Sequence, residues 1–129
     1  MKKHLIFVLA TFLTIPAFAQ EQVAPTFENC QHIEANGDMQ VCFNRTLMEH
    51  VMTSLKYPKG LEEEGRVFVE ITFDENGQLQ EPQVMKSFSE LASNEAVKVM
   101  KSLPQVVMPA TENGKPVAIT YTIPVQFKK

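Results

Sequence analysis

The stretch from Val117 to Phe127 constrains this chain more than any other. Val117, Ile119, Tyr121, Ile123, Val125 and Phe127 are apolar, and Ala118, Thr120, Thr122, Pro124 and Gln126 fill the alternate positions. Successive side chains of a strand point to opposite faces, so this pattern predicts a strand with one buried and one milder face. Pro124 adds a second constraint: proline has no N–H to give to a ladder and belongs at an edge or a bulge. A long edge strand keeps unpaired backbone groups that an extended peptide can use as a template. The edge of this strand is therefore expected to meet a partner.

Upstream, Thr46-Leu47-Met48-Glu49 is a capping-box pattern. Leu47, Val51 and Leu55, widened by Met48 and Met52, form a helical stripe that ends at Lys56-Tyr57, because Pro58 disfavours helical backbone in the residue before it. Glu62-Glu63-Glu64 reads as a solvated turn or loop. Val67, Val69, Ile71 and Phe73 alternate as a strand, and Asp74-Glu75-Asn76-Gly77 is a hairpin turn with Gly77 supplying positive φ. In the return strand, Gln78 to Ser87, Leu79 and Val84 have opposite parity with Pro82 between them, which predicts a bulge or an edge.

Ser89 or Ser93 caps a second helix that runs to about Leu103. Ala96, Val97, Val99, Met100 and Leu103 face inward, and Lys98 and Lys101 face outward where the helix dipole favours positive charge. Pro104 stops it, Gln105 to Glu112 crosses the fold with Pro109, and Asn113-Gly114 turns into the final strand. Pro82 and Pro124 each mark an edge, so the first strand is central. The expected fold is an α+β two-layer sandwich: a three-stranded antiparallel sheet of order 2-1-3 with two helices on one face.

The N-terminus has its own logic. Met1-Lys2-Lys3-His4 is basic, Leu5 to Ile15 is apolar, and Pro16-Ala17-Phe18-Ala19 supplies a small-x-small site. Residues 1–19 therefore read as a signal peptide cleaved after Ala19, and the expected location is the periplasm. The apolar run is shorter than the ~20 residues of a spanning helix; left uncleaved, it would anchor the chain in the inner membrane. Residues 20–46 read as an arm, with Asn36-Gly37-Asp38 as a turn and Met39 to Phe43 as a short extended piece, and residues 47–129 as the domain. Cys30 and Cys42, an even count in an exported chain, predict a disulfide.

Composition excludes several classes of function. Without Lys2 and Lys3 the balance is 10 basic against 15 acidic residues, a net charge near −5 with no basic stripe. That disfavours nucleic acid and anionic lipid and leaves a protein or peptide as partner. Cys30, His32, Cys42 and His50 match no zinc-site spacing, and His50 reads as a solvated surface residue. Ser87, Ser89 and Ser93 have no nucleophile-elbow context. Met48, Met52 and Met100 read as core fillers and the Tyr57 ring as packed on the core. Nothing assembles a nucleophile, base and oxyanion hole, so neither an enzyme nor a cofactor, metal or small-molecule substrate is expected.

The ordered set Lys56-Tyr57-Pro58, Gly65-Arg66-Val67-Phe68-Val69, Phe73-Asp74-Glu75-Asn76-Gly77, Glu95-Ala96 before Leu103-Pro104, and Asn113-Gly114-Lys115-Pro116-Val117 leading to Pro124-Val125-Gln126-Phe127 resembles the C-terminal domain of TonB energy transducers over Leu47 to Lys129. Phe27-Glu28-Asn29-Cys30 and Cys42-Phe43-Asn44 are similar to the arm of Bacteroidetes-type members. The resemblance implies a periplasmic domain that pairs its last strand with the TonB box of outer-membrane transporters, with inner-membrane motor components as further partners. It departs in having a signal and a short arm in place of an anchor and a Pro-rich spacer, and Val106 and Val107 where a tryptophan is frequent. A short arm cannot span the periplasm to transmit force, so binding is the expectation and pulling is not.

If Pro124 avoids losing an internal bond it faces outward, which makes Ala118, Thr120, Thr122, Pro124 and Gln126 the candidate peptide-binding positions. The alternative expectation is a structural or decoy module that self-pairs as a homodimer, or binds another envelope protein, through the same edge.

Overall fold

The structure is a computed structural model that describes residues 21–129; the signal-peptide assignment and the first residue of the arm lie outside the described residues. Among the described residues the chain is α+β, with two α-helices and several antiparallel sheets. In order, the strands are β1 (Gln22–Val23), β2 (Thr26–Phe27), β3 (Gly65–Phe73), β4 (Gln83–Lys86), β5 (Val106–Met108), β6 (Thr111–Glu112), β7 (Lys115–Pro116) and β8 (Ile119–Phe127). Helix α1 (Asn36–Ser54) separates β2 from β3, and α2 (Glu90–Lys101) separates β4 from β5.

The largest sheet has β3 between β4 and β8. β3 and β8 pair antiparallel without a break from Gly65 opposite Phe127 to Phe73 opposite Ile119. Both strands alternate, and that alternation sets their register: Val67, Val69, Ile71 and Phe73 of β3 and Ile123, Val125 and Phe127 of β8 are buried on a common face. A slip of one residue would turn that set to solvent. The hairpin out of β3 is closed by Asp74, whose Oδ1 accepts from the backbone N–H of Asn76 at 2.9 Å and of Gln78 at 2.8 Å, and Gly77 takes φ 80°.

The return strand is much shorter than its predicted span. Leu79 makes an isolated bridge to Phe73, Pro82 interrupts the pairing, and β4 occupies only Gln83–Lys86 with a register shift against Phe68 and Val69. In α2 the Ser89 hydroxyl accepts from the Ala92 N–H at 3.4 Å, and Ala92, Ala96, Val99 and Met100 are buried. Val97, predicted inward, is only half-buried, because Ala92 and Ala96 allow close approach along the neighbouring row. Lys98 and Lys101 face solvent.

The largest correction concerns the first helix. It starts at Asn36, not at Thr46, so Asn36-Gly37-Asp38 opens a helix instead of making a turn, and Met39 to Phe43 are helical instead of extended. The reason is a stripe that continues upstream: Met39, Phe43, Leu47 and Val51 recur every four residues, joined by Cys42, and all are buried. Thr46 lies in mid-helix and caps nothing; its hydroxyl accepts from Asn29 Nδ2 at 3.0 Å. The helix ends at Ser54, ahead of Lys56-Tyr57, with the Leu55 N–H still bonded to the Val51 carbonyl. The Tyr57 ring packs against the core and its hydroxyl donates to the Glu63 carbonyl at 2.6 Å.

The segment before α1 is sewn into the fold. β1 pairs with β6, which pairs with β7, and β2 pairs with β5. Phe27 is buried and stacks on Phe43, and Cys30 is bonded to Cys42. The predicted disulfide is therefore present. It spans a sequence separation of 12, so replacing both cysteines by alanine is expected to lower stability by about 3 kcal/mol in the chain-entropy model. Urea unfolding of the Cys30→Ala/Cys42→Ala protein beside the oxidised chain measures this.

Tyr121 carries a second stability prediction. Its ring lies 4.9 Å from that of Phe43, and its hydroxyl is buried with no hydrogen-bond partner among the described residues. The Gln40 side chain bears on this hydroxyl, but its Nε2 donates to Asn44 Oδ1 at 3.0 Å. Burial pushes the phenol from 10.0 up to about 12, with Gln40 acting weakly in the opposite direction. The fold thus disfavours the phenolate: stability is retained below pH 10 and falls as pH rises from 10 towards 12. Tyr121→Phe is expected to be neutral or to stabilise by up to about 1 kcal/mol, since it removes an unpaired buried hydroxyl. Chemical denaturation between pH 9 and 12 should also show a shallower alkaline loss in this variant. Tyr57, held above its ordinary value by burial and by Glu64, Glu63 and Glu62, keeps a slope of the same sign in both proteins.

Candidate functional site

Among the described residues β8 pairs only with β3, so its other side is an open edge. Pro124 decides how that edge is used. It lies opposite Phe68 in an uninterrupted antiparallel register. A residue without an N–H can hold such a position only where the directly opposed pair exchanges no hydrogen bonds. The odd residues from Ile119 to Phe127 are then the ones bonded to β3, and Thr120, Thr122, Pro124 and Gln126 turn their backbone groups outward. The outward row offers N–H donors at Thr120, Thr122 and Gln126, carbonyls at all four, and no donor at Pro124.

Ala118, the fifth candidate from the sequence, is not in this row. β8 begins at Ile119, because Lys115–Pro116 turns back to pair with β6 and the Val117 N–H bonds to the Ala110 carbonyl at 2.9 Å. Val117 and Ala118 cross between the small sheet and the large one. The Asn113-Gly114 turn has both residues in the left-handed region, at φ 53° and 84°.

The side chains of the outward row are exposed on the face away from the core, and two are braced against β3. The hydroxyls of Thr120 and Thr72 lie 2.8 Å apart. Gln126 Oε1 accepts from Arg66 Nε at 2.8 Å while its Nε2 donates to the Gly65 carbonyl at 3.3 Å. These bonds hold the strand flat against β3 and leave its outer backbone clear.

A recess of about 330 Å³ runs between this edge and α1, lined by Met48, Val51, Met52, Leu55, Pro124, Gln126 and Lys128. Met48 and Met52 are not core fillers as their helical spacing suggested: they are 37% and 75% exposed, and Met39, Phe43, Leu47 and Val51 occupy the buried row of α1. The i, i+4 spacing of the two methionines was visible in the sequence, but only the tertiary fold shows that the row lies beside the open edge. His50 also differs from expectation. Its Nε2 lies 2.9 Å from Ser102 Oγ and 3.1 Å from the Val99 carbonyl, so it ties α1 to the end of α2 instead of being solvated.

The opposite edge of the sheet, the outer side of β4, is short and exposes Val84 and Met85. Cys30 and Cys42 are consumed in the disulfide, and among the described residues no group of His, Cys, Asp and Glu side chains is arranged to hold a metal ion. No helix of the described residues is long and apolar enough to cross a membrane.

Comparison with known proteins gives one match. The family model described as the Gram-negative bacterial TonB protein C-terminal matches residues 54–128, more than half of the chain. No curated protein matches the chain, and no solved structure does.

Proposed function

Because the chain belongs to the Gram-negative bacterial TonB C-terminal family, we propose that it binds an extended peptide, the TonB box of outer-membrane transporters, by adding it as a strand beside β8. Membership carries a TonB-like role in envelope transport, a domain without known catalysis, and interaction with outer-membrane transporters in general. The observation that carries the specific reading is the open edge of β8, with Pro124 opposite Phe68 and the even residues turned outward. In this reading β4, β3 and β8, with both helices on their apolar face, form a rigid two-layer frame that presents Thr120, Thr122, Pro124 and Gln126. Each backbone bond to a partner is worth about 0.5–1.5 kcal/mol net, so this row supports reversible capture of a peptide. Residues 1–19 act as the export signal, and the protein works in the periplasm.

The test is calorimetric titration of the mature chain with a synthetic TonB-box peptide and with the same peptide carrying proline at alternate positions. Saturable binding of the first and loss of binding for the second are expected. A chain that ignores both, and that sediments as a tight dimer insensitive to peptide, would replace this reading with self-pairing through the same edge.

A further inference from the structure

We infer that Cys42 is a thiol-exchange site: an external thiolate enters the recess beside it, opens the bond to Cys30 in the folded protein, and leaves a mixed disulfide on Cys42. The two sulfurs are not equivalent. Cys42 is 8% exposed and borders a recess of about 340 Å³, whereas Cys30 is fully buried and does not line it. Exchange requires the attacking sulfur to reach the attacked one, so access selects Cys42. Ile33 and Val41 give the recess an apolar wall, and Arg45 balances Asp38 at its rim, so an arriving thiolate is not repelled. The site lies wholly in the part of the chain before the family match at residues 54–128.

The leaving side is built as well. Attack on Cys42 Sγ forms a new S–S bond there, breaks the bond to Cys30 and leaves the electron pair on Cys30 Sγ as a thiolate. A thiolate released in a buried position needs a donor. Thr46 is that donor: its hydroxyl oxygen accepts from Asn29 Nδ2 at 3.0 Å and lies 3.7 Å from Cys30 Sγ. A disulfide sulfur carries no proton, so in that contact the hydroxyl donates. When the Cys30 thiolate takes a proton from water, Asn29 Oδ1, 3.9 Å from Cys30 Sγ, is placed to accept from the thiol. A second external thiolate then attacks the outer sulfur of the mixed disulfide and frees Cys42 as a thiolate. Two external thiols are thereby oxidised to a disulfide and the protein disulfide is reduced; the reverse sequence closes the bond. Thr46 is a positioning residue in this scheme. Opening the bond unties the short turn Glu28–Cys30 from α1, while β2 keeps its pairing with β5 and neither cysteine belongs to the β3–β8 ladder.

The probe is glutathione, added to the oxidised chain without denaturant, with products trapped by rapid alkylation and mapped by peptide mass spectrometry. Glutathione on Cys42 with alkylated Cys30 is expected in at least about tenfold excess over the reverse product. Opening by dithiothreitol should be independent of urea below the unfolding transition. Thr46→Val should slow this opening about fivefold and Thr46→Ser should restore it. In unfolding concentrations of urea all three chains should open at one rate. A loss of stability in the valine variant would speed opening, so the sign separates a donor from a packing residue. In the reduced chain the amides of Met39 to Phe43 should exchange faster, and those of Ile123 and Val125 should stay protected. Glutathione found mainly on Cys30, or equally on both sulfurs, would overturn the inference. So would opening that rises with urea in step with global unfolding, or a Thr46→Val chain that opens as fast as the native one.

Discussion

Phe43→Ala is expected to lower the unfolding free energy by about 3–5 kcal/mol, a large part of the 5–15 kcal/mol that holds an ordinary domain together. Phe43 is fully buried, stacks on Phe27 at 5.2 Å, meets Phe73 edge-on at 6.0 Å and lies 4.9 Å from Tyr121. Those rings come from β2, β3 and β8, so one side chain of α1 joins the N-terminal segment to both long strands of the main sheet. Alanine would leave a cavity on which four elements border. Collapse around it is opposed by the disulfide beside Phe43 and by the continuous β3–β8 ladder. Phe43→Leu, which retains most of the volume, should cost less than half as much. Urea unfolding followed by far-UV circular dichroism gives both values. A Phe43→Ala loss below about 1 kcal/mol would mean that the N-terminal segment is not part of the cooperative core.

Thr122→Pro is expected to weaken TonB-box peptide binding by at least about tenfold while changing stability by less than about 1 kcal/mol. The two halves of this expectation have one cause. Thr122 lies opposite Glu70 at a position of the same kind as Pro124, where the backbone exchanges no bonds with β3. Proline there deletes an outward donor and no internal one. Together with Pro124 it would leave two consecutive outward positions without an N–H, and a partner strand would face a gap at the middle of the row. Ile123→Pro is the contrast: the same residue type one position along removes a bond to β3, and about 3 kcal/mol of stability should go with it. If Thr122→Pro and Ile123→Pro are equally destabilising, the assignment of outward and inward residues is wrong.

How much of this was legible in the sequence depends on the distance over which each signal acts. β3, its hairpin, α2 and β8 are specified by local patterns: alternation, Asp74 with Gly77, Ser89 before an apolar stripe. Those elements form close to where the sequence places them. The start of α1 is not legible locally: Asn36-Gly37-Asp38 and the capping-box pattern at Thr46 are strong local signals, and both lose to burial of Met39, Cys42 and Phe43 against a core assembled from distant strands. The pairings of β1 with β6 and of β2 with β5 leave almost no local trace, since two- and three-residue strands are too short to show a period. Alternation continues through Val117 and so points to Ala118 as well, but the hairpin of β6 and β7 draws that part of the chain away from the edge row. The recess beside the edge was illegible for a similar reason. The Met48 and Met52 spacing gives a helical row, and only packing decides whether the row meets the core or faces solvent.

The central claim is that the outer backbone of β8 is free and receives a strand, and residue-resolved amide exchange tests it most directly. In the free protein the N–H groups of Thr120, Thr122 and Gln126 should exchange quickly and those of Tyr121, Ile123, Val125 and Phe127 slowly. On adding a TonB-box peptide, the first three should gain protection and the odd set should change little. Protection appearing only at the odd residues, or along Gln83–Lys86 of β4 instead, would contradict the account.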